Sequence, residues 1–374
     1  MSLTVLLAVA FVGAALYYVC PLRLRWVLLL LLSYGFYLTC GLSALPFIVL
    51  TTLTTWAGAL VIARVGESGK AYLREHKAEL TAEAKKAQKA RTRSRQRVWF
   101  SAMLLLNFGV LAVLKYLNPV MAWGASLLGG SAPSLGLVLP LGISFYTFQS
   151  MGYLIDVYNG KYAPEKNPAK FALFVSFFPQ LIQGPIARFD QLESQLVTPH
   201  RFDLDGIERG LLLMLWGWFK KKVIADRALS LVEAVFGNQS AYGGGVLFYS
   251  LQQYADFSGG IDLVTGIAQL FGIQLAPNFK RPYFSVSLGD FWRRWHISLG
   301  AWMRDYVFYP FALTRPVSRM SKALKKKAGT HIARALPAAL GNILVFLLVG
   351  VWHGAQMNYV LWGLYNGVIL AFTA

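Results

Sequence analysis

The chain has 374 residues, 56% of them hydrophobic and only 14% charged, with a mean hydropathy of +0.48. That balance excludes an ordinary soluble surface and points to the bilayer as solvent, because apolar runs long enough to cross roughly 30 Å of hydrocarbon, which takes about 20 helical residues, recur along most of the chain. A net charge of +19 would suit nucleic acid, but 11 of the 36 basic residues lie between Arg64 and Arg97 and seven more between Arg315 and Arg334. Clusters of this kind between apolar runs read as topology: both are expected on the cytoplasmic side, in reach of membrane lipids, with no nucleic-acid partner.

Leu3 to Cys20 is the first apolar run. No basic stretch precedes it and Pro21, Arg23 and Arg25 follow, unlike a cleaved signal peptide, so it reads as a retained helix with its N-terminus outside. Trp26 to Leu38 then runs outward, Ala44 to Ile62 returns, and the basic segment 63–97 lands in the cytoplasm. Within it, Ala71 to Lys89 is rich in Ala, Glu and Lys and free of Gly and Pro, which predicts a solvated or surface-lying helix serving as a spacer.

Further spans are expected at Val98 to Leu114, Leu141 to Tyr158, Phe171 to Leu181, Gly210 to Val223, Val246 to Phe271, Ala338 to Trp352 and Tyr359 to Phe372. Phe171 to Leu181 is short, contains Pro179, and is followed by Gly184 and Pro185. It predicts a re-entrant or broken helix, tolerable only where protein or a water-filled cavity covers the freed backbone groups. With no repeat or linker, a single all-α membrane domain is expected over 1–374. The run that ends at Ala374 leads us to expect further spans beyond it.

Five histidines are present. His353, in Gly350-Val351-Trp352-His353-Gly354, directly follows a strongly apolar run, where an ionisable group is costly and is a functional candidate by default. The bland alternative is an interfacial histidine bonded to a helix-end carbonyl. His296 lies in the densest aromatic and charged stretch, Asp290 to Tyr306. A capping signature at Ser287 and helical spacing of Trp292, His296 and Leu299 predict one amphipathic helix there. That helix is either an interfacial anchor belt or a cytoplasmic mouth where Arg293, Arg294 and Lys280 or Arg281 meet the phosphates of an acyl-coenzyme A.

Two polar islands interrupt apolar surroundings, Tyr254 to Asp262 and Gln180 to Arg188. Asp256 or Asp262 is expected to orient a histidine, pair with an arginine, or form a purely structural ion pair. Gln149 and Asp156 are read as hydrogen-bonding glue between helices. Cys20 and Cys40, the only cysteines, lack metal or disulfide spacing, and no metal site is expected. No Walker-type loop or Gly-x-Ser-x-Gly elbow is present. Acyl transfer fits what remains, since a histidine takes the proton of an attacking hydroxyl while nearby donors steady the oxyanion.

An ordered series of segments resembles the membrane-bound O-acyltransferase family, in its alginate and peptidoglycan O-acetylation branch. The segments are Leu139 to Gln149, Phe177 to Pro185 (with Gln183), Tyr254 to Gly259 (with Asp256 and Ser258), Pro277 to Tyr283, Trp292 to His296 (with Trp295), and Trp352 to Gly354. The resemblance implies a bundle of transmembrane and re-entrant helices around a central pore, with His353 as principal catalytic residue and His296 as second histidine toward the cytoplasmic side. It implies an acetyl donor in the cytoplasm, acetyl-coenzyme A, with no permanently bound cofactor. It also implies a bacterial cytoplasmic (inner) membrane location and a separate extracytoplasmic SGNH-type acetyltransferase that modifies a polysaccharide acceptor. Phe257-Ser258-Gly259-Gly260 departs from the expected Phe-Ser-Gly-Tyr. Relatives that transfer D-alanine to teichoic acid share the Trp-His-Gly ending. Outside catalysis, the rival readings are a transporter of lipid-linked sugar and a scaffold for the secreted transferase.

Overall fold

A computed structural model describes residues 3–237 and 242–373. Among the described residues the secondary structure is helical, apart from one antiparallel bridge between Phe279 and Trp295. The chain expected to form one membrane domain groups into two compact units, Met1–Asn107 with Pro140–Ala276, and Phe108–Leu139 with Pro277–Ala374.

The first unit contains α1 (Leu3–Val19), α2 (Arg25–Leu38), α3 (Leu45–Glu75), the start of α4 (Ala82–Leu127), α5 (Ile143–Asn159), α6 (Pro168–Ser176), α7 (Phe178–Gln183), α8 (Phe189–Val197), α9 (Leu204–Trp218), α10 (Asp226–Gly237) and α11 (Tyr242–Gln269). Its core holds an aromatic cluster in which the Tyr153 ring lies 4.6 Å from Phe171 and 4.7 Å from Phe189, with Phe174 5.0 Å from Phe189. Helices α9 and α11 cross where a Cβ on Gly217 would stand 2.5 Å from the Gly259 carbonyl oxygen. Small residues at such a crossing let backbones touch, which is how helices gain packing when lipid supplies no hydrophobic drive.

The expected break in Phe171–Leu181 is present. Phe177 leaves helical geometry at φ −50°, ψ 109°, Pro179 sits in the first turn of α7, and the freed Phe178 N–H donates to Ser33 Oγ of α2 at 3.2 Å. Protein therefore covers a backbone group that lipid could not satisfy. Gln149 is glue as read, its amide donating to the Phe174 carbonyl at 2.6 Å. Asp156 works more locally, accepting from Lys161 at 3.3 Å and Tyr162 at 3.2 Å in the turn that follows α5.

The helix expected over Ala71 to Lys89 is corrected. α3 runs on to Glu75, the chain turns through His76, and Thr81 Oγ1 accepts the Ala84 N–H at 3.2 Å to start α4. A threonine cap and a stacked Tyr72–His76 pair, 4.3 Å between centroids, hold the reversal in a segment that contains neither Gly nor Pro.

The second unit holds the remainder of α4 with α12 (Leu288–Arg294), α13 (Ile297–Met303), a π-turn over Arg304–Phe308, α14 (Tyr309–Ala312), α15 (Arg315–His353) and α16 (Met357–Phe372). α15 is interrupted at Gly329, whose φ of +86° suits glycine, and Ser321 Oγ reaches the Ala333 carbonyl at 2.8 Å across the bend. α15 and α16 pack at glycines as well: a Cβ on Gly350 would lie 2.4 Å from the Tyr359 carbonyl oxygen. Among the described residues three helical segments, Leu42–Glu75, Ala82–Leu127 and Arg315–His353, are long and apolar enough to cross a membrane. The chain is an all-α polytopic membrane protein.

Candidate active site

The single amphipathic helix expected over Asp290 to Tyr306 does not form. Ser287 caps α12 as read, its Oγ accepting the Asp290 N–H at 3.1 Å, but the helix stops at Arg294. The reason is tertiary. The Pro277–Arg281 strap pairs with the turn: Lys280 N–H donates to the Arg294 carbonyl at 2.9 Å, and Ile297 N–H to the Asn278 carbonyl at 3.0 Å. Trp295 is drawn into extended geometry and His296 into the left-handed region, at φ 47°, before α13 begins. Arg281, at φ 45°, is the other non-glycine residue with positive φ among those described. Such conformations cost of order 1–2 kcal/mol per residue and persist only where surrounding contacts hold them.

His296 is 5% exposed. Asn278, 1% exposed, holds the ring through Oδ1, 3.3 Å from His296 Nδ1. The same oxygen accepts the Ser298 backbone N–H at 3.0 Å and the Ser298 hydroxyl at 2.9 Å. A backbone N–H can only donate, which fixes the identity of the oxygen and obliges the imidazole to donate from Nδ1. The neutral ring is thus the Nδ1–H tautomer, with its basic lone pair on Nε2. Burial pushes the imidazole well below the ordinary histidine range, to about 3, and His353 nearby adds to the effect.

Trp352 touches both histidines, its ring 6.1 Å from the His296 ring and 4.8 Å from the His353 ring. His353 ends α15 and is exposed. Trp362 meets it edge-on at 5.5 Å and Tyr359 stacks at 6.2 Å. Trp292 from α12 packs on Phe346 at 5.0 Å and on Trp362 at 5.6 Å, so α12, α15 and α16 enclose one aromatic cluster. From α4, Lys115 donates to the Trp352 carbonyl and Tyr116 to the Val351 carbonyl. Both bonds satisfy carbonyls at the end of α15, where a cation also suits the helix dipole. Sequence reasoning missed Asn278, Lys115 and Tyr116, although Asn278 stood inside a segment singled out for its resemblance.

Arg293, Arg294, Lys280 and Arg281, the residues expected to meet phosphates, lie on α12 and on the strap that precedes it. Asp290 takes Arg294 at 2.9 Å and Arg293 at 3.6 Å, and the Arg294 hydrogen bond holds that carboxyl below the usual carboxylate range. Arg293 keeps 72% of its side chain exposed. Lys280 and Arg281 are exposed on the strap.

Asp256, Ser258 and Gln183 belong to the first unit. The expected histidine or arginine partner of the carboxylates is corrected to lysine: Lys221 meets Asp256 at 2.5 Å, and buried Lys220 meets Asp262 at 2.6 Å and Ser258 Oγ at 3.0 Å. A structural ion-pair pattern is what these contacts describe. The lysines ride on a π-turn, Phe219–Ala225, that follows α9 and interrupts the span expected over Gly210 to Val223. Gln183 Oε1 lies only 1.9 Å from where a Gly260 Cβ would stand. The glycine-for-tyrosine departure at Gly260 therefore coincides with Gln183 occupying the space that a side chain there would need.

Residues 164–374 match the model of the MBOAT, membrane-bound O-acyltransferase family. The chain is 34% identical over 370 residues to the "Probable alginate O-acetylase AlgI" of Pseudomonas syringae pv. tomato, covering 95% of this chain and 62% of that protein. It is 33% identical over 307 residues to the peptidoglycan O-acetyltransferase of Helicobacter pylori, covering 74% and 55%. It is 29% identical over 247 residues to the teichoic acid D-alanyltransferase of Bacillus subtilis, covering 64% and 60%. The chain thus spans about three fifths of the length of these curated relatives.

Proposed function

Because the chain belongs to the membrane-bound O-acyltransferase family, we propose that it is an O-acetyltransferase of the bacterial cytoplasmic membrane. It draws acetyl from a cytoplasmic thioester, acetyl-coenzyme A, and passes it through a water-lined passage for O-acetylation of an extracytoplasmic polysaccharide by an SGNH-type partner. The observation that carries this reading is the Asn278–His296 pair with its tautomer set, in ring contact with Trp352 and through it with His353.

In the proposed reaction, His353, the exposed imidazole, removes the proton of a hydroxyl on the partner that receives the acetyl group, as that oxygen bonds to the acetyl carbonyl carbon. The tetrahedral intermediate collapses with breakage of the carbon–sulfur bond, and the leaving thiolate takes the proton back from the imidazolium. His296, held neutral with Nε2 basic, positions the donor or the transferred proton on the cytoplasmic side. The names of the relatives support acetyl over D-alanyl transfer, since the acetylating ones share more identity with this chain than the D-alanyltransferase does.

The test is thioester consumption and acetyl transfer by the purified protein in proteoliposomes, supplied in parallel with acetyl-coenzyme A and a D-alanyl thioester. His353→Ala is expected to lower acetyl turnover by about 10² to 10⁴, the usual contribution of a positioned acid–base group. A correctly folded His353→Ala protein with undiminished turnover overturns the mechanism, and preferential use of the D-alanyl donor overturns the acetyl assignment.

A further inference from the structure

Facing each other beyond the apolar parts of α3 and α4, Arg64, Arg91 and Arg95 line a cleft of about 550 Å³ with Ser68, Gln88 and Thr92. The hairpin is drawn tight beneath it. Gln96 donates to the Ile62 carbonyl at 3.0 Å, and a Cβ on Gly69 would lie 2.3 Å from Thr92 Oγ1. Tyr72, stacked on His76, contributes an aromatic wall.

The lining contains three guanidinium groups and no carboxylate. Among the described residues no ion pair joins any of the three arginines to an acidic side chain, in contrast to Arg293, Arg294 and the Lys220–Lys222 run, each of which has its aspartate. Three planar cations beside hydroxyl and amide donors match an anion with several oxygens, a phosphate above all.

The depth of the cleft selects the source of that phosphate. The apolar part of α3 ends at Ile62 and that of α4 begins at Val98, so Arg64 and Arg95 stand within a turn of the hydrocarbon edge. Headgroups add about 5–8 Å to each side of the hydrocarbon core, and at about 1.5 Å per helical residue the run from Arg64 to Ser68 crosses that layer. Arg91, about 10 Å from Val98 along α4, lines the outer end of the same cleft, so the inner end, at Arg64 and Arg95, meets lipid phosphates first.

We propose that the α3–α4 cleft is a binding site for the phosphate headgroup of an anionic phospholipid, seated on Arg64, Arg91 and Arg95. The site uses none of the residues assigned to acyl transfer and lies wholly within the first unit.

The experiment reads lipid retention by native mass spectrometry after release of the protein from nanodiscs of equal dioleoylphosphatidylglycerol and dioleoylphosphatidylcholine. The wild type is expected to keep phosphatidylglycerol in preference to phosphatidylcholine. The triple variant Arg64→Gln, Arg91→Gln, Arg95→Gln should lose about tenfold or more of that preference, on the scale of what each basic side chain contributes at a charged surface. A second triple variant, Lys70→Gln, Lys86→Gln, Lys89→Gln, removes equal charge outside the cleft and should keep the preference. The proposal is overturned by a wild type that does not discriminate between the lipids, by equal loss in the two triple variants, or by unaltered retention in the arginine variant. Displacement of the lipid by millimolar inorganic phosphate or coenzyme A would assign the cleft to a soluble phosphate instead and so overturn it too.

Discussion

Replacement of Asn278 by alanine tests the site at its most constrained point. One oxygen serves three donors there, the Ser298 N–H at 3.0 Å, the Ser298 hydroxyl at 2.9 Å and His296 Nδ1 at 3.3 Å, with all three residues under 9% exposed. A buried donor left without an acceptor costs about 1–3 kcal/mol. The serine hydroxyl can rotate toward another acceptor, which leaves two stranded donors, so Asn278→Ala is expected to destabilise the protein by about 2–6 kcal/mol. It also releases the tautomer of His296, and turnover should fall by about 10² or more, the scale of a mispositioned acid–base group. Asn278→Asp keeps the acceptor, so it should retain the Nδ1–H tautomer and, by placing a carboxylate beside the ring, shift the acidic limb of the pH–rate profile upward. Thermal melting in detergent, proteoliposome kinetics and ¹⁵N histidine spectra read the three effects separately. Turnover of Asn278→Ala within twofold of wild type, with His296 still protonated on Nδ1, would refute the reasoning.

His296 is native in its neutral form, with a folded value near 3 against an ordinary value of 6.5. Between those limits the unfolded chain binds the extra proton, so stability is full above about pH 6.5 and declines as the pH falls toward 3. The slope approaches about 1.4 kcal/mol per pH unit, and His296→Asn should flatten that part of a melting-versus-pH curve; identical curves would count against it. Lys220→Ala strands Asp262 in the first unit and is expected to cost about 3–5 kcal/mol, whereas Lys220→Met with Asp262→Leu should recover most of it; a neutral single variant in a melting assay would contradict the pairing. If Arg293 meets the donor, Arg293→Gln should raise the apparent KM for acetyl-coenzyme A more than it lowers kcat, and steady-state kinetics with unchanged donor affinity would remove that contact.

The helices were largely legible because sustained apolar runs announce themselves, although among the described residues only three segments reach bilayer length. Even the break between α6 and α7 could be read from Pro179, since proline constrains the residue before it and forfeits a helical hydrogen bond. The turn at Trp295 and His296 was not legible. Its local spacing is helical, and what overrides it is pairing with Asn278 and Lys280, some 14 to 18 residues earlier, a contact that leaves no mark on local periodicity. Neither Arg281 nor His296 is a residue type that advertises a left-handed backbone. Lys220 and Lys221 were hidden for a related reason: their aspartates lie 35 to 42 residues away on α11 and face them only after folding. The two histidines stood out because ionisable groups next to apolar runs are rare. Asn278, equally necessary to the geometry, is an uncharged residue whose burial only the structure reveals.

Lys115 and Tyr116 have a consequence beyond satisfying two carbonyls. They belong to α4, more than 230 residues ahead of the backbone they grip, so the registration of α4 acts as a ruler for where the ring of residue 353 comes to rest. One residue inserted between Phe108 and Lys115 would swing both grips by about 100° around the helix. The imidazole would lose its anchorage although no atom near it had been exchanged.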